Sequence, residues 1–466
     1  MTDERQILLD LIEEYPTNKK SLDFAIRPFP GRPASFLNQV PEKVLGLFRE
    51  PSCLKLATCD HEIIAQCQRS KLPLPAFMEA GPRRHLSFDV GEGVRAAVVT
   101  TGGLAPGLNA VVHSIVHRHT RTYHRLMGPN GSVCGYINGM DGLKAGERIE
   151  LDADKTAKWL DSGGSELGAG RGAKDPLTRL EELDQVLTRL QNSLIDILYV
   201  VGGDGSLNFA HQLAIHPNNK RLIVVGIPKT MDNDVLWVSE SFGFASAVQQ
   251  AANVIDTIHC EAESTRRSCL IEFFGASSGF VAANAAFANG HVDLVMIPEA
   301  FHGKSQEECM GILKEYRDFL FREVQRKVDS KKPHLVIVSA EGVGEVLGKA
   351  GVKLQPRVQV TKQNFRIEFL KFIENIPNIG QHFEFQPRYL IRSMPANSHD
   401  KVYCQRLGAL AVDNALAGYT DFMISQWLTE YVMVPLSLVT KGIKQVHPKD
   451  TFWRHAEEST GQPHVE

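Results

Sequence analysis

Three short segments of this chain concentrate the residue types that phosphate chemistry uses. In PKTMDND (228–234), Asp232 and Asp234 flank Asn233 beside Lys229 and Thr230. Alternating acids can divide the work, one near a metal and the other accepting a proton from a hydroxyl. A neighbouring lysine neutralises phosphate charge. A self-capped Asx turn is the purely structural alternative. In GGDGS (202–206), Asp204 stands among glycines. A lone carboxylate there suits a magnesium ion that keeps several waters and bridges phosphates. In TTGGLAPGLN (100–109), Gly102 and Gly103 let backbone amides come close to an anion. The helix expected to follow adds its positive end. The segment fits neither GxGxxG nor GxxxxGK[ST], which removes the dinucleotide and Walker readings. Acidic, glycine-assisted loops with cations nearby point to phosphoryl transfer, a reaction that depends on positioning and charge stabilisation.

These loops need a rigid frame. From about residue 94, β-rich runs end in Gly, Asp or Pro: 94–100, 194–201, 221–227, 268–274, 292–297 and 334–340. Helical spacing follows, as with Val111, Val112, Ile115 and Val116 after the first run and Leu207, Ala210, Leu213 and Ala214 after the second. Continuous apolar strands alternating with helices predict a parallel sheet covered on both faces. Ligands then bind beyond the carboxyl ends of the strands, where the three loops lie. Residues 1–90 differ: ILLDLIEEY forms one amphipathic helix, Pro-containing segments follow, and no strong strand run is present. They predict a helical and irregular extension that wraps the main body or another subunit.

Composition narrows the setting. The 466 residues carry 51 Lys plus Arg against 54 Asp plus Glu, a net charge of -3, which argues against a dedicated nucleic-acid binder. Eight cysteines without a CxxC pair, and acids in MTDERQILLD where a signal peptide carries cations, predict a reduced cytoplasmic location. No apolar run approaches the roughly 20 residues of a membrane helix, so no membrane partner is expected. HCE (259–261) has the HxE form of a zinc deaminase, but no PCxxC follows. GVGEVLGKA (342–350) lacks the Ser or Thr of a Walker motif and reads as a turn after a strand.

The ordered set GGLAPGLN, GGSELGAGRG (163–172), GGDGS, PKTMDND, FFGASSGF (273–280) and PRYLIRSMPANSHD (387–400) resembles the phosphofructokinase family, from about residue 80 to the C-terminus. The long plant-like branch is most similar; it shares the PKT motif with pyrophosphate-dependent members. The resemblance implies an α/β fold of two doubly wound parallel-sheet domains with a cleft between them. The extension would be 1–90, the donor domain 91–240 and the sugar-phosphate domain 241–400, with helices of 401–466 completing both. It implies transfer of the ATP γ-phosphoryl group to the C1 hydroxyl of fructose 6-phosphate, with Mg2+ as cofactor. Asp232 would be the base. Lys229 and Thr230 would serve the transferred phosphoryl group, and Asp204 and Asp234 the metal. Gly103, Arg171, Gly172, Gly203, Asp204, Gly205 and Ser206 would cradle the donor. Thr230, Met231, Asp232, Phe274, Gly275, Ala276 and Glu341 would line the sugar site. Tyr389, Arg392 and Arg267, the last from a neighbouring subunit of a homodimer or homotetramer, would reach the sugar phosphate.

Donor choice turns on Gly205. In the family an Asp there accompanies pyrophosphate use, because a carboxylate would crowd and repel the α-phosphate of a nucleotide. Glycine favours ATP. Lys229, typical of pyrophosphate enzymes, pulls the other way and keeps a pyrophosphate-dependent enzyme as an alternative. A departure sets up a third reading. The usual MGR triplet is Phe274, Gly275, Ala276 here, and loss of an arginine at the transferring phosphoryl group would suit a catalytically weak sensor of sugar phosphates or nucleotides.

Overall fold

Alternate residues along a strand face opposite sides of its sheet, and the strand runs of this chain are apolar on both. Ala96, Val98, Tyr199, Val201, Val225 and Ile227 fall in one buried cluster, and Ala97, Val99, Leu198, Val200 and Val224 in another. A computed structural model describes residues 3–26, 28–29, 49–50, 52–89, 93–170, 176–329 and 331–465. Its strands, in chain order, are β1 (Leu54–Leu56), β2 (Ala76–Glu79), β3 (Arg95–Thr100), β4 (Ser132–Tyr136), β5 (Arg148–Glu150), β6 (Ile197–Gly202), β7 (Ile223–Pro228), β8 (Ser268–Phe273), β9 (Leu294–Met296), β10 (Leu335–Ala340), β11 (His382–Phe385), β12 (Phe422–Trp427) and β13 (Glu430–Pro435).

The chain divides into two compact units. The first holds Met1–Thr230, Val235–Gly243 and Ser393–Lys444. Its sheet runs β1-β2-β13-β12-β7-β6-β3-β4-β5. The strands from β12 to β4 are parallel; the edges are antiparallel. From β3 the chain moves to β4 on one side and returns to β6 on the other. That reversal opens a crevice beyond the carboxyl ends of β3 and β6. The helices Leu108–His117 and Ser398–Leu416 cover one face through Val111, Val112, Ile115, Leu407 and Ala411. The helix Asp204–Ala214 covers the other through Leu207, Ala210 and Leu213.

The described part of the first 90 residues carries the expected helix and departs from expectation in its strands. It supplies β1 and β2, which extend the sheet through antiparallel pairing of β2 with β13. Three and four residues are too few to show a strand period in sequence. The helix Glu4–Glu14 buries Ile7, Leu8, Leu11 and Ile12 in the same cluster as Phe77 and Trp237. The Glu4 carboxylate accepts the Trp237 backbone N–H at 3.1 Å. The described part of this segment therefore belongs to the core of the first unit. The C-terminal stretch departs too. Helices alone were expected over 401–466, yet β12 and β13 form a hairpin there.

The second unit holds Met231–Asp234, Phe244–Arg392 and Gln445–Glu466. These units thus part the chain at other positions than 91–240 and 241–400, with residues 401–444 in the first and 445–466 in the second. The second sheet, β11-β8-β10-β9, is parallel throughout. The outer edge of β9 is closed by a side chain: Gln462 accepts the Val295 N–H at 2.8 Å and donates to the Val295 carbonyl at 3.1 Å. The segment 342–350 is a helix, Val343–Lys349, and not the turn its glycines implied; Val343 and Leu347 are buried on one side of it.

Candidate functional site

In the first unit the loops after β3, β6 and β7 are fastened to one another at the carboxyl end of the sheet. The Thr101 hydroxyl donates to Ser206 Oγ at 2.6 Å, and the Thr101 N–H to the Val201 carbonyl at 2.9 Å. The Lys229 N–H donates to the Gly202 carbonyl at 2.9 Å, while its ammonium donates to the Gly103 carbonyl. The 163–170 segment joins this group. Gly102 N–H donates to the Gly170 carbonyl at 3.1 Å, and Asn109 clamps the segment through Ser162 O and Glu166 N, at 3.1 and 2.9 Å. Gly102 has φ +81, a conformation that side chains disfavour.

Glycine has the opposite meaning at two neighbours. A Cβ built on Gly103 or Gly205 meets nothing within 4 Å, and neither lies at positive φ. The fold does not require glycine there. Gly205 sits in the first turn of the helix Asp204–Ala214, where glycine is a poor helix former. Space above a helix N-terminus is where backbone amides receive an anion. Asp204 and Gly205 are exposed, Gly203 and Ser206 half-buried, and Lys229 and Thr230 buried. Arg171 and Gly172 lie outside the described residues.

The 228–234 segment passes from one unit to the other: Lys229 and Thr230 belong to the first, Met231, Asp232, Asn233 and Asp234 to the second. The Thr230 carbonyl accepts the Ser241 hydroxyl at 2.6 Å. Asn233 is left-handed at φ +56, which a short amide side chain tolerates. The Asp232 carbonyl accepts the Ser278 hydroxyl at 3.1 Å, so the loop after β8 steadies the segment's acidic half.

That loop, 274–279, is tight. A Cβ on Gly275 would lie 2.3 Å from the Ser278 carbonyl, so glycine is needed. Ala276 is exposed and left-handed at φ +46. Glu341 follows β10 and donates its N–H to the Phe273 carbonyl at 2.9 Å. Its carboxylate lies 3.0 Å from Lys362 and 3.6 Å from Arg388. Deeper in β8, Glu272 is 3% exposed and bound by Arg366 at 2.8 Å and Gln386 at 2.7 Å. Burial pushes its carboxyl above the ordinary range, and Arg366 opposes the shift. Tyr389 and Arg392 lie on the helix Arg388–Arg392; Tyr389 is 72% exposed.

The second unit therefore brings Phe274, Gly275, Ala276, Glu341 and Arg392 to the carboxyl ends of its strands. Arg267 is not among them. It precedes β8 at the opposite strand end, paired with Glu261 and lying over Phe383 at 4.9 Å. Sequence reasoning left four residues without a role: Asn109, Ser278, Lys362 and Arg388. Three of these stand inside motifs already quoted; Lys362 carries no signal.

Three kinds of comparison find similar proteins. The family model described as Phosphofructokinase matches residues 95–415. An ATP-dependent 6-phosphofructokinase of Amycolatopsis methanolica is 33% identical, covering 86% of each chain. ATP-dependent 6-phosphofructokinase 7 of Arabidopsis thaliana is 32% identical, over 83% of this chain and 77% of that one. A solved pyrophosphate-dependent phosphofructokinase from Nitrosospira multiformis superposes with a TM-score of 0.63 over 80% of this chain and 93% of that chain. At 16% identity this last likeness concerns the fold alone.

Proposed function

The chain belongs to the phosphofructokinase family, and we propose that it transfers the γ-phosphoryl group of ATP to the C1 hydroxyl of fructose 6-phosphate. The observation that carries the ATP reading is the open space at Gly205, which the fold itself does not demand. The α-phosphate of a nucleotide uses that space, with the amides at the start of the helix Asp204–Ala214 around it. Loops 100–109 and 202–206, tied through Thr101 and Ser206, hold the β- and γ-phosphates. Lys229 and Thr230 face the transferred group. Asp232 accepts the C1 hydroxyl proton as the oxygen attacks phosphorus. Glu341 binds sugar hydroxyls, and Tyr389 and Arg392 the sugar phosphate.

Among the described residues no group of three or more His, Cys, Asp or Glu is arranged as a metal cage. The exposed Asp204 suits a magnesium ion and would hold one, as would the carboxylate of Asp234. Such an ion supplies charge neutralisation on the transferring phosphoryl group. The reading includes a cytoplasmic location, supported by cysteines that are all free thiols. It also includes a homodimer or homotetramer, in which Arg267 serves a neighbouring copy.

Pyrophosphate is the second donor to consider, because Lys229 lies beside Gly102 and Gly103, where a small anion would sit. Purified protein assayed for fructose 1,6-bisphosphate formation with magnesium and either donor separates them. ATP-driven turnover exceeding pyrophosphate-driven turnover supports the proposal; the reverse order overturns it. Binding of fructose 6-phosphate without turnover from either donor marks a sensor.

A further inference from the structure

Two guanidinium groups share one aromatic ring in the second unit. Phe274, the residue after β8, has Arg388 Cζ at 5.7 Å and Arg392 Cζ at 5.8 Å from its ring centroid. The two arginines are four residues apart on the helix Arg388–Arg392 and so stand on one face of it. Like charges at this spacing repel. Arg392 also lies 5.1 Å from the Tyr389 ring, and its Nε is buried with no hydrogen-bond partner among the described residues.

The acids nearby engage Arg388 only loosely. Its Nη2 lies 3.6 Å from both Glu272 and Glu341, longer than a good hydrogen bond. Glu272 already has Arg366 and Gln386 at 2.8 and 2.7 Å, and Glu341 has Lys362 at 3.0 Å. The Arg388 side chain is 38% exposed. The helix thus presents two forked cations on an apolar platform, beside the carboxylate assigned to the sugar hydroxyls. A phosphate dianion matches that arrangement: each guanidinium offers paired N–H donors to its oxygens, and the anion cancels the mutual repulsion.

We infer that Arg388 is a second acceptor-binding arginine, which grips the phosphate of the sugar substrate together with Arg392 and favours phosphorylated over unphosphorylated sugars. This rests on the acceptor assignment above, which uses Arg392 and Tyr389 but gives Arg388 no part. Phe274 holds both guanidinium groups at one distance from the ring, so the clamp forms before the substrate arrives.

The test compares Arg388→Ala, Arg388→Lys and the unaltered protein. KM for fructose 6-phosphate rises ten- to a hundredfold in the Ala variant, kcat changes less than threefold, and KM for ATP stays. The Lys variant, which keeps the charge but loses the fork, falls between. Calorimetric binding of fructose 6-phosphate without nucleotide weakens by the same factor as KM rises. Inorganic phosphate competes less well against fructose 6-phosphate in the Ala variant. An unchanged KM, or a loss confined to kcat, overturns the inference. So does weakened sugar-phosphate binding with unchanged phosphate competition, since that places the effect on Glu341. If the Ala variant fails to fold, the Lys variant alone decides by the same readings. If the unaltered protein binds inorganic phosphate through Arg388 but not fructose 6-phosphate, the acceptor assignment falls and the clamp stands.

Discussion

The Lys229 ammonium donates a hydrogen bond to the carbonyl of Gly103, joining the loop after β7 to the loop after β3. Lys229 is 5% exposed, so its charge acts in a poorly hydrated place where electrostatic effects are large. A methylene stem with no charge is the informative replacement. Lys229→Met lowers kcat/KM for the donor by about ten- to a hundredfold, the scale of a charge-assisted hydrogen bond of about 1.5–3 kcal/mol. Steady-state kinetics with ATP varied checks this; a change below twofold removes Lys229 from the reaction.

Gly205→Asp separates stability from donor use. The new Cβ meets no neighbour, and a carboxylate in the first helical turn favours the helix dipole. The melting temperature therefore holds or rises slightly, while KM for ATP increases at least tenfold. Thermal melts and ATP kinetics on one preparation check both halves. Unchanged ATP kinetics would show that the space serves no nucleotide.

The N-terminal helix is expected to matter for stability and not for substrate binding. Leu8 is 1% exposed in the cluster that includes Trp237, which packs edge-on against Phe77 and Trp427 at 5.4 and 5.5 Å. Leu8→Ala destabilises by about 2–5 kcal/mol, the usual range for a buried leucine. Denaturant unfolding followed by tryptophan fluorescence measures this, with KM for fructose 6-phosphate as the control that stays constant.

These elements mark the limits of the sequence. The six apolar runs became β3, β6, β7, β8, β9 and β10 because strands buried on both faces need continuous apolar stretches. β12 and β13 escaped notice because their hairpin turns through Leu428 and Thr429, both at positive φ, where Asn-Gly would have been the visible signal. Glu4 binding Trp237 spans more than two hundred residues and has no local trace. In the site, motif glycines and acids were legible because their chemistry is carried by residue type. Lys362 and Arg388 were not, since their contacts arise only where the segment before the helix Phe365–Ile373 and the helix Arg388–Arg392 meet Glu341 after β10. Ala276 leaves the loop after β8 without an arginine.

A buried carboxyl makes the second unit's stability depend on pH. Glu299 accepts the Gly279 and Val446 N–H groups on one oxygen at 2.8 and 2.9 Å; among the described residues its other oxygen is buried without a partner. Burial pushes its pKa up to about 7 from 4.5. Between those values the folded protein keeps a proton that the unfolded chain has released, so stability falls as pH rises through this window. The loss is on the order of 3 kcal/mol. Glu299→Gln keeps an oxygen for both N–H groups and removes the charge. Its stability relative to the unaltered protein grows from pH 5 to pH 8 in denaturant titrations; parallel curves would contradict this.

Asp232 as the proton acceptor is the centre of the account, and Asp232→Asn tests it most directly. The amide preserves size and polarity but takes no proton. Fructose 6-phosphate and ATP binding, measured by calorimetry, stay within about threefold, while turnover falls by about 10²–10⁴, the range for loss of a general base. Turnover within tenfold of the unaltered enzyme, with both ligands still bound, would contradict the assignment.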